Sequence, residues 1–326
     1  MTIQSPLSFS NIIELSFLTI TLIFLIPLVI YLIQRMQYSK CKLVWTPIDF
    51  VERRSNLSYE EFVQEYASVG KPVIITDAMK NWKASTKWTV DFFRSQYGSV
   101  KDLMMDYKSE NNTWNQTEVA MSIADYIDDI TSDASDKLLY LSDFNIWNYP
   151  ELLEDYEDPI YFNNWYRKLP VKLLNKYIGN VCNVLIGRKD TTIGLHNDHR
   201  RDTAWVPVIS GQKQVVLLSP DQEKYLYNGQ VDCFNPDLQK FPLYANTKPV
   251  ECVLNQGEML YIPSDWWHHV KNLENTISLA INTLNEWDFE VVCQKILERA
   301  PIKGHIFPLI VKFPFLGKAL LAVGLL

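Results

Sequence analysis

Between Val181 and Asn282 the chain breaks into a series of short β-patterned runs, and this feature limits its folding options more than any other. NVLIG, TAWVPVI, QVVLLSP, VECVL, EMLYIP, HHVKN and TISLAIN are rich in β-branched and aromatic residues, and turn-forming residues punctuate them. Short strands repeated with turns between them close into a sandwich or a barrel. The 326 residues leave room for one large domain or two small ones, and 47% hydrophobic content can bury a proper core. With 10 tryptophans and 17 tyrosines against 11 glycines, that core and any pocket in it are expected to be strongly aromatic.

Upstream the punctuation is helical. SYEEFVQEYASVG (58–70) opens on a capping box, Ser58 with Glu61, and stops at a glycine. KPVIITDA (71–78) reads as a buried strand, TVDFFRSQYG as an amphipathic helix, and YEDPIYFNNWYRKLP (156–170) as irregular. At the N-terminus LSFLTITLIFLIPLVIYLI (15–33) carries no charge and is long enough to span a bilayer, with Pro27 as a tolerated kink. Glu14 precedes it and no small-x-small site follows, so an uncleaved anchor is expected rather than a signal peptide. Arg35, Lys40 and Lys42 on its C-terminal flank place the rest of the chain in the cytoplasm of a single-pass membrane protein. The organisation expected is an anchor (1–42), a helix-rich part (43–180), a β core (181–290) and an apolar C-terminal segment (291–326).

Charge and cysteines exclude some classes. A net charge of −7 offers no basic face for nucleic acid. Cys41, Cys182, Cys233, Cys252 and Cys293 are scattered and form no C-x-x-C, which reads as free thiols in a reducing compartment.

The chemistry is concentrated in GLHNDH (194–199), which holds two of the five histidines. Residues two apart on a strand share a face, so His196 and Asp198 present an imidazole and a carboxylate side by side. Alone, such a pair is ordinary surface strand. QGEMLYIPSDWWHHVKNL supplies His268 and His269, and one more histidine would complete the two-histidine, one-carboxylate facial set of non-haem Fe(II) oxygenases. In SGQKQVVLLSP, Lys213 shares a strand face with Val215 and Leu217; it is either a snorkelling strand-end lysine or an ammonium fixed to hold the distal carboxylate of a metal-chelating 2-oxo acid. Tyr140, in KLLYLSDF, would add a hydroxyl to that carboxylate. Trp205, Trp266 and Trp267 are candidates to wall the pocket.

Together, LHND (195–198), SGQK (210–213) with LLSP, QVDCFNPDLQKFP (230–242), GEMLYIPSDWWHHV (257–270), and upstream GKPVIITDA and WKASTKW make the chain resemble a JmjC-type, cupin-like Fe(II)- and 2-oxoglutarate-dependent oxygenase over residues 43–290. The resemblance is to the small protein-hydroxylase branch that includes the factor-inhibiting-HIF-like enzymes. It implies a mainly β fold with flanking helices, a double-stranded β-helix (jelly roll) with the N-terminal half packed outside; the transmembrane helix read at 15–33 lies ahead of it. It implies iron held by His196, Asp198 and His268, and 2-oxoglutarate held by Lys213 and Tyr140. With O2 the cosubstrate would go to succinate and CO2 while a protein side chain gains a hydroxyl. The position three before the first metal histidine, where many relatives carry a hydroxyl for the cosubstrate, is Ile193; its neighbour Thr192 is the remaining candidate, although alternation turns it the other way. Val206 stands where some relatives have asparagine near the iron. The C-terminal segment is expected to form a homodimer surface or a membrane-skimming helix. A zinc hydrolase on the same ligands, and a catalytically silent membrane-anchored binding module, are the competing classes.

Overall fold

The computed structural model describes residues 29, 32–36, 42–106, 117–132, 137–174 and 178–322. Thirteen strands are formed among them: β1 (Glu52–Arg54), β2 (Val73–Ile75), β3 (Lys101–Asp106), β4 (Thr117–Ser122), β5 (Leu139–Asn145), β6 (Cys182–Gly187), β7 (Thr192–His196), β8 (Thr203–Ser210), β9 (Lys213–Leu218), β10 (Val250–Leu254), β11 (Met259–Ile262), β12 (Trp267–Asn272) and β13 (Thr276–Thr283). They make a nine-stranded sheet, ordered β1-β2-β11-β8-β13-β6-β5-β3-β4, and a four-stranded sheet, ordered β10-β9-β12-β7. Every strand after β5 pairs antiparallel with its neighbours, and the two sheets face each other as in a jelly roll.

Alternation along the strands explains the layers. On the inner face Val206, Val208, Leu260 and Ile262 of the large sheet meet Val215, Leu217 and Val270 of the small one. On the outer face Val184, Ile186, Trp205, Tyr261 and Leu279 pack against the N-terminal half through Phe62, Tyr66, Phe93 and Tyr126. The central strands of the large sheet are therefore buried on both sides, which is why β11 reads MLYI without a polar break. The outer face of the small sheet, including Leu195, Val216, Leu218 and Trp267, is covered by the 219–249 insert through Leu226, Val231, Phe241 and Tyr244.

The N-terminal half is less helical than its sequence leads one to expect. The capping box at Ser58 forms as read, but the helix Tyr59–Phe62 runs at once into a π-helical turn, Val63–Ala67. α1 (Val90–Tyr97) is capped by Thr89 and α2 (Ile123–Thr131) by Ser122. The same half contributes β1 to β5 to the large sheet, so the β core is not confined to 181–290. Strands such as ERR and KDLMMD have no local β signature; pairing with neighbours that are remote in sequence makes them strands.

Downstream of the barrel lie α3 (Phe289–Arg299), α4 (Pro301–Lys312, with Pro308 inside it) and α5 (Pro314–Ala322). Phe289, Val292, Phe307 and Ile310 pack with Tyr166 and Leu173 into a separate apolar cluster. The expected span at 15–33 falls outside the described residues except for positions 29, 32 and 33, and among the described residues no helix is long and apolar enough to cross a membrane. Cys182, Cys233, Cys252 and Cys293 are buried and form no disulfide among the described residues, while Cys41 lies outside them.

Candidate metal centre

β7 and β12 are neighbours in the small sheet, and their register sets His196 directly opposite His268. Between His268 and Val270 the ladder shifts, so that three steps along β7 match two along β12. This bulge re-aims the strand end at the mouth of the barrel. The imidazole centroids lie 4.1 Å apart, and ligand atoms of His196, Asp198 and His268 all fall within 4.8 Å of one another. His268 is buried, whereas His196 and Asp198 are half-buried at the mouth.

Each ring has its tautomer set by the backbone two residues before it. His196 Nδ1 is 2.7 Å from the Gly194 carbonyl and His268 Nδ1 is 3.2 Å from the Trp266 carbonyl. A carbonyl oxygen can only accept, so both Nδ1 atoms donate and both Nε2 atoms keep a lone pair for a cation. Burial, and for His196 also the neighbouring His268, pushes both imidazoles down to about 4, so they are neutral at physiological pH. Burial and then Asp202 push the Asp198 carboxyl up to about 6. Two neutral nitrogens and one carboxylate converging at the open end of a barrel suit a divalent first-row ion with further positions left open.

The carboxylate has its own support. Asn282 hydrogen-bonds Asp198, and its Nδ2 is also 3.5 Å from Asp202. Asp202 is buried and accepts from Arg200 Nε at 2.9 Å and from the Tyr166 hydroxyl at 3.0 Å.

Lys213 lies deeper on the same inner strip. Leu217 pairs with His268 and Lys213 with Asn272, with the pair Val215 and Val270 between them. Its side chain is fully buried, and Nζ donates to the Tyr140 hydroxyl at 2.9 Å and to Asn272 Oδ1 at 2.7 Å. Among the described residues no carboxylate compensates the charge, and burial pushes the ammonium down to about 7. Asn272 is fixed in turn, donating to Thr191 Oγ1 at 2.8 Å and accepting from Thr276 Oγ1 at 2.9 Å. Gly187 makes room for this cradle, since a Cβ there would sit 2.0 Å from Asn272 Nδ2 and 2.7 Å from the Tyr140 ring.

Some expected residues stand elsewhere. Thr192 pairs with Lys271 on the side turned away from the barrel, because the bulge puts Ile193 in register with inward-facing Val270; the buried hydroxyl is that of Thr191. His269 points outward, as alternation requires, where its Nδ1 accepts from the Cys233 amide at 3.2 Å. Trp205, Trp266 and Trp267 sit in three different apolar clusters and wall none of the cleft, whose lining is mostly polar or small. Asn272, Thr191, Gly187, Asn282 and Asp202 were not singled out by sequence; Asn272 was within reach, because His268, Val270 and Asn272 alternate onto one face.

A cleft of about 290 Å³ opens over the centre, lined by His196, Asp198, Asn183, Ser142, Asp143 and Asn282 among others. Lys213 and Tyr140 are not among its lining residues. Burial raises the Asp143 carboxyl, and the neighbouring acids Asp102 and Glu118 raise it further.

A family model described as a cupin-like domain matches residues 59–286, well over half of the chain. Among curated proteins, the chain is 31% identical over 270 residues to lysine-specific demethylase JMJ21 of Arabidopsis thaliana, covering 78% of this chain and 27% of that protein. It is 28% identical over 273 residues to lysine-specific demethylase 8 of Danio rerio, covering 76% and 61%. It is 27% identical over 266 residues to the 2-oxoglutarate and iron-dependent oxygenase JMJD4 of Gallus gallus, covering 73% and 60%. The aligned region thus spans between about a quarter and three fifths of the length of these relatives.

Proposed function

Since the chain belongs to the cupin-like, JmjC-type family of Fe(II)- and 2-oxoglutarate-dependent oxygenases, we propose that it is itself such an oxygenase and hydroxylates a protein side chain. Its cofactors are Fe(II), 2-oxoglutarate and O2. The observation that carries this reading is the pairing of two features on one inner strip: the His196, Asp198, His268 donor set at the mouth, and the uncompensated, fully buried Lys213 behind it. An ammonium kept in a dry site at this cost calls for an anion as its partner.

His196, Asp198 and His268 would hold the iron, and Lys213 with Tyr140 would hold the distal carboxylate of 2-oxoglutarate. The bound metal and cosubstrate supply the oxidising chemistry that places one oxygen atom of O2 on a substrate C–H. The chain's own residues do the placing. The Gly194 and Trp266 carbonyls fix which nitrogen of each histidine faces the ion, and Asn282 and Asp202 orient Asp198. Asn272 and Thr191 hold Lys213 in line, and the apolar inner layer keeps water from it.

The cleft favours a cationic side chain of a protein, because Asp143 lines it and, among the described residues, accepts one hydrogen bond, from Asn183 at 3.4 Å. Names of relatives that mention lysine and arginine as targets run in the same direction. Hydroxylation is favoured here as the common first step, oxygen insertion into a C–H bond. The uncharged run at 15–33 would anchor the enzyme as a single-pass protein with the barrel on the cytoplasmic side.

The test is anaerobic addition of Fe(II) and then 2-oxoglutarate to the metal-free protein, watching for a visible metal-to-ligand charge-transfer band. The band is expected, and it should be lost in His268→Ala. Zinc binding with no such band would favour the hydrolase reading, and no metal binding at all would favour a silent binding module.

A further inference from the structure

We propose that one end of the molecule, where the chain enters at Lys42 and where α4 gives way to α5, rests on the headgroup layer of an anionic bilayer. The geometry gathers this end from separate parts of the sequence. Lys42, Leu43 and Val44 line a small pocket together with Trp287, Asp288 and Val291 at the start of α3. α4 runs back along α3: Gly304 abuts Leu297 at the far end, and Lys312 Nζ lies 5.1 Å above the Phe289 ring at the near one. The α4–α5 junction therefore returns to the point of chain entry.

This end exposes large apolar side chains that the fold does not use. Val44 is 56% exposed, Trp287 45%, Phe313 47% and Phe315 64%. Cations accompany them: Lys42, Lys312 and Lys318 are exposed, and residues 300–326 contain three lysines and no acid in a chain of net charge −7. Nearby acids are the buried Asp288, Glu286, which accepts from Tyr59 and Asn163, and the exposed Glu290. Aromatic rings and lysines alternating on one exposed surface fit the interfacial layer, where the ring sits at headgroup depth and the ammonium meets lipid phosphate. Ile33, the end of the uncharged run, precedes Lys42 by nine residues, so a tether formed by that run would leave from this same end. A second copy fits less well. A two-fold contact would bring Lys42, Lys312 and Lys318 of both copies into one interface, where the exposed Glu290 of each copy could pair one of them.

The test uses the full chain in a Cys41→Ser background, in which the four remaining cysteines are buried, reconstituted into nanodiscs with or without phosphatidylserine. An environment-sensitive dye goes on Phe315→Cys, or on Leu238→Cys as an exposed control in the 219–249 insert, and is probed with brominated lipid. Quenching is expected at 315 and not at 238, and it should be stronger with phosphatidylserine. Adding Lys318→Glu should reduce the quenched population severalfold, since each lysine at an anionic surface shifts such an equilibrium by roughly fivefold. Equal quenching at 315 and 238, none at either, or dye self-quenching at 315 that grows with protein density and ignores lipid composition would each overturn the proposal. Every one of these readouts works without iron or turnover.

Discussion

Replacing Lys213 with methionine should make the metal-free protein more stable while removing its response to 2-oxoglutarate. Burial holds the ammonium at about 7 against an ordinary 10.5, and at about 1.36 kcal/mol per pH unit the charge costs on the order of 5 kcal/mol near neutrality. The substitution also forfeits two hydrogen bonds, to Tyr140 and Asn272, worth about 1 kcal/mol each. Asn272 Oδ1 keeps its donor from Thr276, so no bare acceptor is left there. A net gain on the order of 1–3 kcal/mol remains, or several degrees in Tm. Its pH dependence has a fixed sign. Below about pH 7 Lys213 is protonated folded and unfolded, and the wild type bears the whole cost. Between about 7 and 10.5 the unfolded chain holds a proton that the folded one has released, so wild-type stability rises with pH toward that of the variant. Above 10.5 the ionisation term is gone, leaving only the hydrogen bonds. Denaturant midpoints from pH 6 to 10 measure this directly. With Mn(II) and 2-oxoglutarate present at about a hundred times its dissociation constant, the wild type should gain about 2.7 kcal/mol and Lys213→Met almost nothing. A variant less stable than wild type at pH 7, or one that keeps the 2-oxoglutarate shift, would refute the reasoning.

Three further outcomes are expected. His268→Ala should abolish Mn(II) binding in equilibrium dialysis, whereas His269→Ala should retain it and lose about 1–3 kcal/mol in urea denaturation, because the Cys233 amide loses its acceptor. Gly187→Ala drives a methyl into Asn272 and Tyr140, and should weaken 2-oxoglutarate binding in calorimetry while sparing metal affinity. Expressed in a eukaryotic membrane system, a cytoplasmic barrel should carry no glycan at Asn56, Asn111 or Asn115, the acceptor positions of three N-x-Ser/Thr patterns; a glycosidase-sensitive mobility shift would reverse the orientation.

Sequence reading reached the barrel strands and the convergence of His196, Asp198 and His268 because both rest on period-two alternation, which tertiary structure leaves intact where both faces are buried. The opposed directions of His268 and His269 follow from it. It failed where the period breaks. The shift in β5 between Leu141 and Phe144 brings Ser142 and Asp143 together into the cleft lining. It also failed for β1, β3 and β4, whose charged residues carry no strand signal until a distant partner offers hydrogen bonds. The tryptophans misled for a related reason: a large aromatic ring says that it will be buried, not which of several clusters will bury it.

Both histidines donate Nδ1 to a carbonyl two residues earlier in the chain, whereas the Asp198 carboxylate is held, among the described residues, by the Asn282 side chain. The two halves of the centre therefore differ in how freely they can be adjusted. No side-chain substitution reaches the Gly194 or Trp266 carbonyl, so the electron donation of the imidazoles is locked to the backbone. For an ion held at this centre, Asn282 and Asp202 are the positions at which substitution would alter the carboxylate's donation while leaving the three donor side chains in place.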